Sequence, residues 1–215
     1  MFERFVNRAL QKHVSQLLCD EQHGFVSRKS TVTNLLCYKD FISSAFNDGI
    51  QVHSVYTDLQ KAFDTVSHNL LLFKIRNYFG FCDKELQWFH SYLTKRHQRV
   101  VISGVESEWM PVSSGVPQGS ILGPSLFLMF INDLPSSLNN SQCLLFADDV
   151  KVFKRISDVK DCQDFLDDLH RLSKWCSTWC MNFNLKKCVF INFSLKRHCD
   201  ILHDYFLAGD PLKQV

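Results

Sequence analysis

The sequence predicts an α+β fold, because helix-period and strand-period segments follow one another without strict βαβ alternation. Two stretches carry most of that expectation. VHSVYTDL, residues 52–59, is β-branched and aromatic and reads as a strand. LLFADDVKVF, residues 144–153, sets two apolar runs around a short polar centre, as a hairpin does. Beside them stands a long helical stripe of Cys162, Phe165, Leu169, Leu172, Trp175, Cys176 and Trp179.

The remaining elements follow in order. Phe2, Phe5, Ala9, Leu10, Val14 and Leu17 recur at helical spacing, so the chain opens with an amphipathic helix. A second helix starts at Ser30, a good N-cap, and stops before Gly49. Residues 70–78 and 84–93 read as helices, the second capped by Asp83. QRVVIS (98–103) and EWMPV (108–112) read as short strands. SGVPQGSILGP (114–124) is dense in Gly and Pro and must be a shaped loop, which runs into a buried helix over SLFLMFIND (125–133). CVFINF (188–193) returns as a strand.

Composition bounds the function without naming it. The 215 residues suffice for one large domain or two lobes sharing a core, and nineteen phenylalanines make that interior aromatic. A net charge of +2 does not by itself argue for a nucleic-acid partner, so any basic surface is local, as at Lys95, Arg96, His97 and Arg99. Nine cysteines, an odd number lying largely in apolar runs, favour free buried thiols over a disulfide scaffold. Zinc is not expected, because Cys176, Cys180, Cys188, His198 and Cys199 include no C-x-x-C pair. No segment reaches the roughly 20 apolar residues of a membrane span, and none reads as a signal peptide. A nuclear or cytoplasmic protein, neither secreted nor membrane-bound, is the expectation.

The acidic residues carry the chemistry. Asp58 ends the first strand, and Asp148 and Asp149 occupy the hairpin turn. Any one of them alone reads as a turn or cap residue. Two adjacent aspartates between apolar strands are harder to place, since like charges about 4 Å apart repel by roughly 4 kcal/mol at an effective dielectric near 20. A cation offsets that repulsion. Hard carboxylate oxygens suit magnesium, or manganese, which complete their shells with water and substrate phosphates. Two such ions can activate a hydroxyl and stabilise a departing pyrophosphate. Spacing alone does not bring Asp58 to the hairpin.

Five ordered motifs supply that link. TDLQKAFDTVSH, SGVPQGSILGP and FADD resemble the three successive catalytic motifs of reverse transcriptases. LKKC, preceded by Asn184, resembles the lysine-bearing fourth, and QHGFVSRKSTVTNLL the fingers motif. The wording is most similar to non-LTR retrotransposons of the arthropod type. The resemblance implies a right-hand polymerase palm over 51–65 and 120–215, with partial fingers over 1–50 and 66–119. It stops before the primer grip, so thumb and endonuclease are expected to be absent.

It also implies roles. Asp58 and Asp148 would ligate two magnesium ions, with Asp149 in support and the Leu59 carbonyl as a further ligand. Phe63 falls at the steric-gate position that selects dNTPs, although a core phenylalanine is the other reading of that ring. Gln118 and Gly119 lie where the incoming nucleotide and template pass. Lys187 matches the lysine that protonates leaving pyrophosphate, with Lys186 beside it as a rival. Arg28 and Lys29 depart from the family's glycine–arginine pattern, and Lys29 takes the triphosphate-binding place. The implied reaction is RNA-directed DNA synthesis on an RNA template and DNA primer. The alternative is a catalytically silent retroelement remnant that only binds nucleic acid or a partner.

Overall fold

The computed structural model describes residues 2–195 and 201–215. In chain order it begins with α1 (Phe2–Val14), α2 (Thr31–Asn47), β1 (Gln51–Thr57), α3 (Ala62–Thr65), α4 (His68–Asn77) and α5 (Asp83–Leu93). Four two-residue strands follow: β2 (His97–Gln98), β3 (Val101–Ile102), β4 (Val105–Glu106) and β5 (Met110–Pro111). Then come α6 (Gly123–Ile131), β6 (Gln142–Phe146), β7 (Asp149–Ile156), α7 (Val159–Thr178) and β8 (Val189–Phe193). The chain closes with β9 (Phe206–Leu207), β10 (Asp210–Pro211) and β11 (Lys213–Gln214). Residues 1–17 and 61–130 form one compact unit, and residues 18–60 and 131–215 the other.

The second unit is built on a five-stranded sheet in the order β11-β8-β1-β7-β6. β1 lies between β7 and β8 and pairs antiparallel with both, while β11 runs parallel to β8. Successive side chains of a strand point to opposite faces. Val52 and Tyr56 therefore share one face, where Tyr38 and Ala45 of α2 pack with Leu144 and Phe153. Buried His53 faces the other way, and its ring is boxed by Phe190 and Tyr205. Tyr205 in turn meets Phe165 of α7. The sheet is thus covered on both sides. α2 begins at Ser30, whose hydroxyl accepts from the Thr33 N–H while Thr33 accepts from the Ser30 N–H, a reciprocal cap.

One buried charge fixes the approach to β6. Asp168 of α7 is fully buried. Its carboxylate accepts from the backbone N–H groups of Asn139, Asn140 and Ser141 at 2.7–2.9 Å and from Arg171 at 2.8 Å. Burial alone would raise its pKa, but these donors outweigh burial and hold it below the ordinary value. A depressed folded pKa contributes stability above the unfolded value that is lost as pH falls through the folded one. Asp168→Ala should orphan three N–H groups and cost about 3 kcal/mol. Thermal unfolding at neutral pH should show it as a fall of roughly 6–12 °C, and the gap from wild type should narrow in acid.

The first unit gathers α1, α3–α5, β2–β5 and α6 as far as Phe130. Glu3 of α1 accepts from the Tyr92 hydroxyl at 2.7 Å and the Ile121 N–H at 2.9 Å. Lys74, fully buried on α4, donates to the Phe130 carbonyl at 2.6 Å. That carbonyl lies in the last turn of α6, where backbone acceptors lack helical donors.

Several local expectations shift. The first strand ends at Thr57, so Asp58 stands just past its tip. Cys82, in extended conformation, is the cap of α5, and Asp83 is the first helical residue at φ +45°. QRVVIS splits into β2 and β3, because Ser103 and Gly104 turn the chain at positive φ and pair β3 with β4, while β2 pairs with β5. α1 ends at Val14, before Leu17.

Candidate active site

The sheet register assembles the acidic group. Thr57 is paired with Val150 across β1 and β7, so one further step sets Asp58 against Asp149. β6 and β7 pair as far as Phe146 and Asp149, which leaves Ala147 and Asp148 as the turn. Asp149 is therefore the first residue of β7 and not a turn residue. The three carboxylates belong to one compact unit and stand at one end of its sheet.

Their electrostatics are coupled. Burial, reinforced by the Asp58 carboxylate, raises the pKa of Asp148 above the usual carboxylate value. Asp149, the more open residue, is raised too, by partial burial and then by the charges of Asp148 and Asp58. Lys187 opposes both shifts. Its ammonium lies 3.4 Å from Asp58 Oδ1. The backbone holds that pair together, since Asn184 N–H donates to the Asp58 carbonyl at 2.7 Å and Lys187 N–H to the Asn184 carbonyl at 2.8 Å. Leu59 is buried and bridges to Phe183.

Among the described residues, no three His, Cys, Asp or Glu side chains converge closely enough to cage an ion unaided. Magnesium seldom needs such a cage. It is commonly held by one or two carboxylates and shares its remaining positions with water and phosphate. Hard oxygen donors, with Asp148 and Asp149 both held above the ordinary value by burial and a neighbouring carboxylate, fit that requirement.

The turn itself is clamped from the QHGF segment. Gln22 is buried and uses both ends of its amide: Nε2 donates to the Ala147 carbonyl at 3.2 Å, and Oε1 accepts from the Ala147 N–H at 2.9 Å and the Gly24 N–H at 2.7 Å. Ala147 has φ +56°, a left-handed conformation unusual for alanine. A side chain on Gly24 would collide with the Ala147 backbone. Neither Gln22 nor Gly24 stood out in the sequence as a site residue. The available signal was a glycine two residues after an amide in the QHGF segment.

The other candidates are placed as follows. Lys29 donates to the Asp20 carbonyl, and Arg28 is exposed at φ +66°. Phe63 stacks on Phe127 with ring centroids 4.3 Å apart and is half-buried. In the same unit Gln118 Nε2 donates to Asp64 Oδ1 at 2.8 Å, a partnership the sequence did not suggest. Gly115 closes the loop at φ +86°, where any Cβ would strike the Asp64 backbone at 2.8 Å. Gly119, at φ +76°, faces open space. Lys186 is exposed. Cys176 and Cys188 are buried, burial pushing the Cys176 thiol up to about 12, and Cys180 is exposed. His198 and Cys199 lie outside the described residues.

A central β-strand with an aspartate just past its tip, beside an acidic β-hairpin in a largely antiparallel sheet with helices on both faces, defines a right-hand polymerase palm. Residues 1–202 match the family model for reverse transcriptase (RNA-dependent DNA polymerase), and the chain belongs to that family. It is 33% identical over 188 residues to the probable RNA-directed DNA polymerase from transposon X-element of Drosophila melanogaster, covering 83% of this chain and 20% of that protein. It is 28% identical over 207 residues to the RNA-directed DNA polymerase from mobile element jockey of the same organism, covering 90% and 22%. The expected likeness to arthropod non-LTR elements holds, and the chain spans about a fifth of the length of these curated relatives. Among solved structures, a Candida tropicalis telomerase truncated from its C-terminal domain superposes with a TM-score of 0.67 at 15% identity, covering 97% of this chain and 44% of that one. A Candida albicans telomerase complexed with a telomeric RNA fragment gives 0.65 at 13%, covering 95% and 38%. At such identities the likeness is one of fold.

Proposed function

We propose that this chain is the catalytic core of an RNA-directed DNA polymerase that adds dNTPs to a primer 3′-hydroxyl. The observation that carries the reading is the meeting of Asp58 with Asp148 and Asp149 at one sheet end, with Lys187 against Asp58. Asp58 and Asp148, supported by Asp149 and the Leu59 carbonyl, would hold two magnesium or manganese ions, which would supply Lewis acidity toward the attacking hydroxyl and the phosphates. Within that arrangement Asp58 fixes the Lys187 ammonium, and Lys187 gives its proton to the pyrophosphate oxygen as it leaves. Gln118 and Gly119 line the path of nucleotide and template, with the Asp64 carboxylate orienting the Gln118 amide. Lys29 and Arg28 would meet the triphosphate once Lys29 leaves the Asp20 carbonyl.

In functional terms, 51–65 and 120–215 would serve as palm, and 1–50 and 66–119 as fingers. The free thiols fit a reducing nuclear or cytoplasmic setting. A second reading, nucleic-acid binding without synthesis, draws on Lys29 being engaged with Asp20. Primer extension on an RNA template separates the two, with this chain replacing the matching segment of a jockey-type polymerase. Extension supports the first reading, and template binding without extension supports the second.

Phe63 would act as the gate against ribose. Phe63→Val in that chimera should raise ribonucleotide incorporation relative to dNTP by about 10–100-fold, the scale on which pocket shape discriminates. An active variant with unchanged sugar selection would leave the ring only its packing on Phe127.

A further inference from the structure

We propose that Gln22 is a positioning residue for the acidic site: its side chain holds Ala147 in the left-handed conformation that decides where the Asp148 carboxylate stands. The inference deepens the polymerase reading and rests on it. A two-residue turn between β6 and β7 has several backbone solutions, and alanine disfavours the left-handed one. Here that conformation is imposed from outside the hairpin. The Gln22 amide takes both the N–H and the C=O of Ala147 while keeping the Gly24 N–H on the same oxygen. Glutamine carries a donor and an acceptor on one amide carbon, so it can pair with the N–H and C=O of a single residue as a neighbouring strand does. The segment around it does behave as one. His23 N–H donates to the Leu145 carbonyl at 2.9 Å, and Leu145 N–H donates to the Glu21 carbonyl at 2.9 Å. Asn34 adds a donor to the Leu145 carbonyl at 3.1 Å. The strand leading into the turn and the turn's first residue are thereby fixed to residues 21–24. Asp148 is the next residue along, and its direction follows from the ψ of Ala147.

The pairing makes chemical sense. Groups that repel one another, as Asp58, Asp148 and Asp149 do, push a flexible turn outward. A rigid turn keeps them where a cation and a triphosphate can use them, because preorganisation removes the reorganisation otherwise needed on binding. Gln22 spends both ends of its amide on Ala147 and Gly24. It acts through Ala147.

The test measures manganese binding by the whole chain, following free Mn²⁺ by its electron paramagnetic resonance signal, beside thermal unfolding. Wild type should bind, and Asp148→Asn should lose most of that affinity. Gln22→Met, close in volume but unable to bond Ala147, should weaken binding by about tenfold, as the loss of an outer support does. Asp168→Ala, destabilised far from the turn, should lower the melting temperature yet keep wild-type affinity. Adding Ala147→Gly to Gln22→Met should recover part of the loss, because glycine adopts positive φ freely. Should Gln22→Met fail to fold, Gln22→Asn, one methylene too short to reach both atoms, takes its place.

Wild-type affinity in Gln22→Met would overturn this inference and leave the polymerase reading standing. So would an equal loss in Asp168→Ala, since general destabilisation would then explain both. A double variant no better than Gln22→Met would remove Ala147 from the proposal. If the wild-type chain binds no manganese, the polymerase reading itself fails, and Gln22 with it.

Discussion

Asp148→Asn should make the chain more heat-stable while removing the catalytic capacity proposed for it. Both halves follow from the same crowding. Burial and the Asp58 charge raise the folded pKa of Asp148 above the value it would have in the unfolded chain. For a carboxylate shifted in that direction, folding carries no ionisation penalty below the unfolded pKa. The penalty grows as pH rises through the two values and is complete above the folded one. The native chain with Asp148 ionised bears that penalty, and a neutral amide of the same shape relieves it. Removing one of three like charges is worth about 1 kcal/mol in a partly solvated site, which corresponds to roughly 2–4 °C for a chain of this size. Saturating Mn²⁺ should raise the melting temperature of wild type and not of the variant, because ligand binding stabilises only the form that binds it. In the chimeric polymerase the same substitution should cut primer extension by about a thousandfold or more, the scale expected when a preorganised electrostatic partner of the transition state is lost. A variant that melts lower than wild type without metal would show that the aspartates are not in conflict. One that still extends primers would remove Asp148 from the chemistry.

The sequence carried the local part of this site well and the relational part poorly. The β6–β7 hairpin was legible because two apolar runs flank FADD, and the start of α2 because Ser30 precedes a helical run. Such signals are written in neighbouring residues. What brings Asp58 to the hairpin is the antiparallel pairing of β1 with β7, whose partners Thr57 and Val150 are far apart in sequence, and no local propensity encodes it. Motif resemblance supplied it. Smaller misses have the same origin. Asp83 looked like a cap because aspartate favours caps, yet Cys82 occupies that position. The main-chain oxygen of Asp20 that the Lys29 ammonium meets is likewise not written in its neighbours. The link from Gln118 to Asp64 joins two motifs that sequence treats as separate.

Gly24→Ala should damage the site although it changes no charge. Gly24 lies in a turn but not in the left-handed region, so its backbone conformation does not demand a glycine. What excludes a larger residue is space. An added Cβ would run into the backbone nitrogen of Ala147 and come within 2.9 Å of the Phe146 carbonyl carbon. Both obstacles are main chain, so neither can swing aside as a flexible side chain would. The two segments must separate, and the bonds from Gln22 to Ala147 stretch with them. Overpacking of this kind costs about 1–3 kcal/mol, and each weakened buried hydrogen bond adds about 1 kcal/mol. A total near 3 kcal/mol or more predicts a melting temperature lower by roughly 6–12 °C. Gly119→Ala is the proper control. That glycine has φ +76° with open space around it, so alanine there meets only the left-handed penalty of about 1–2 kcal/mol. The two variants should also part in manganese affinity, which falls in Gly24→Ala through displacement of the Asp148 turn and holds in Gly119→Ala, where no carboxylate is moved. Equal stability and equal affinity in the two would mean that the approach of residues 22–24 to the FADD turn does not govern the acidic site, and the clamp would have to be sought elsewhere in the fold.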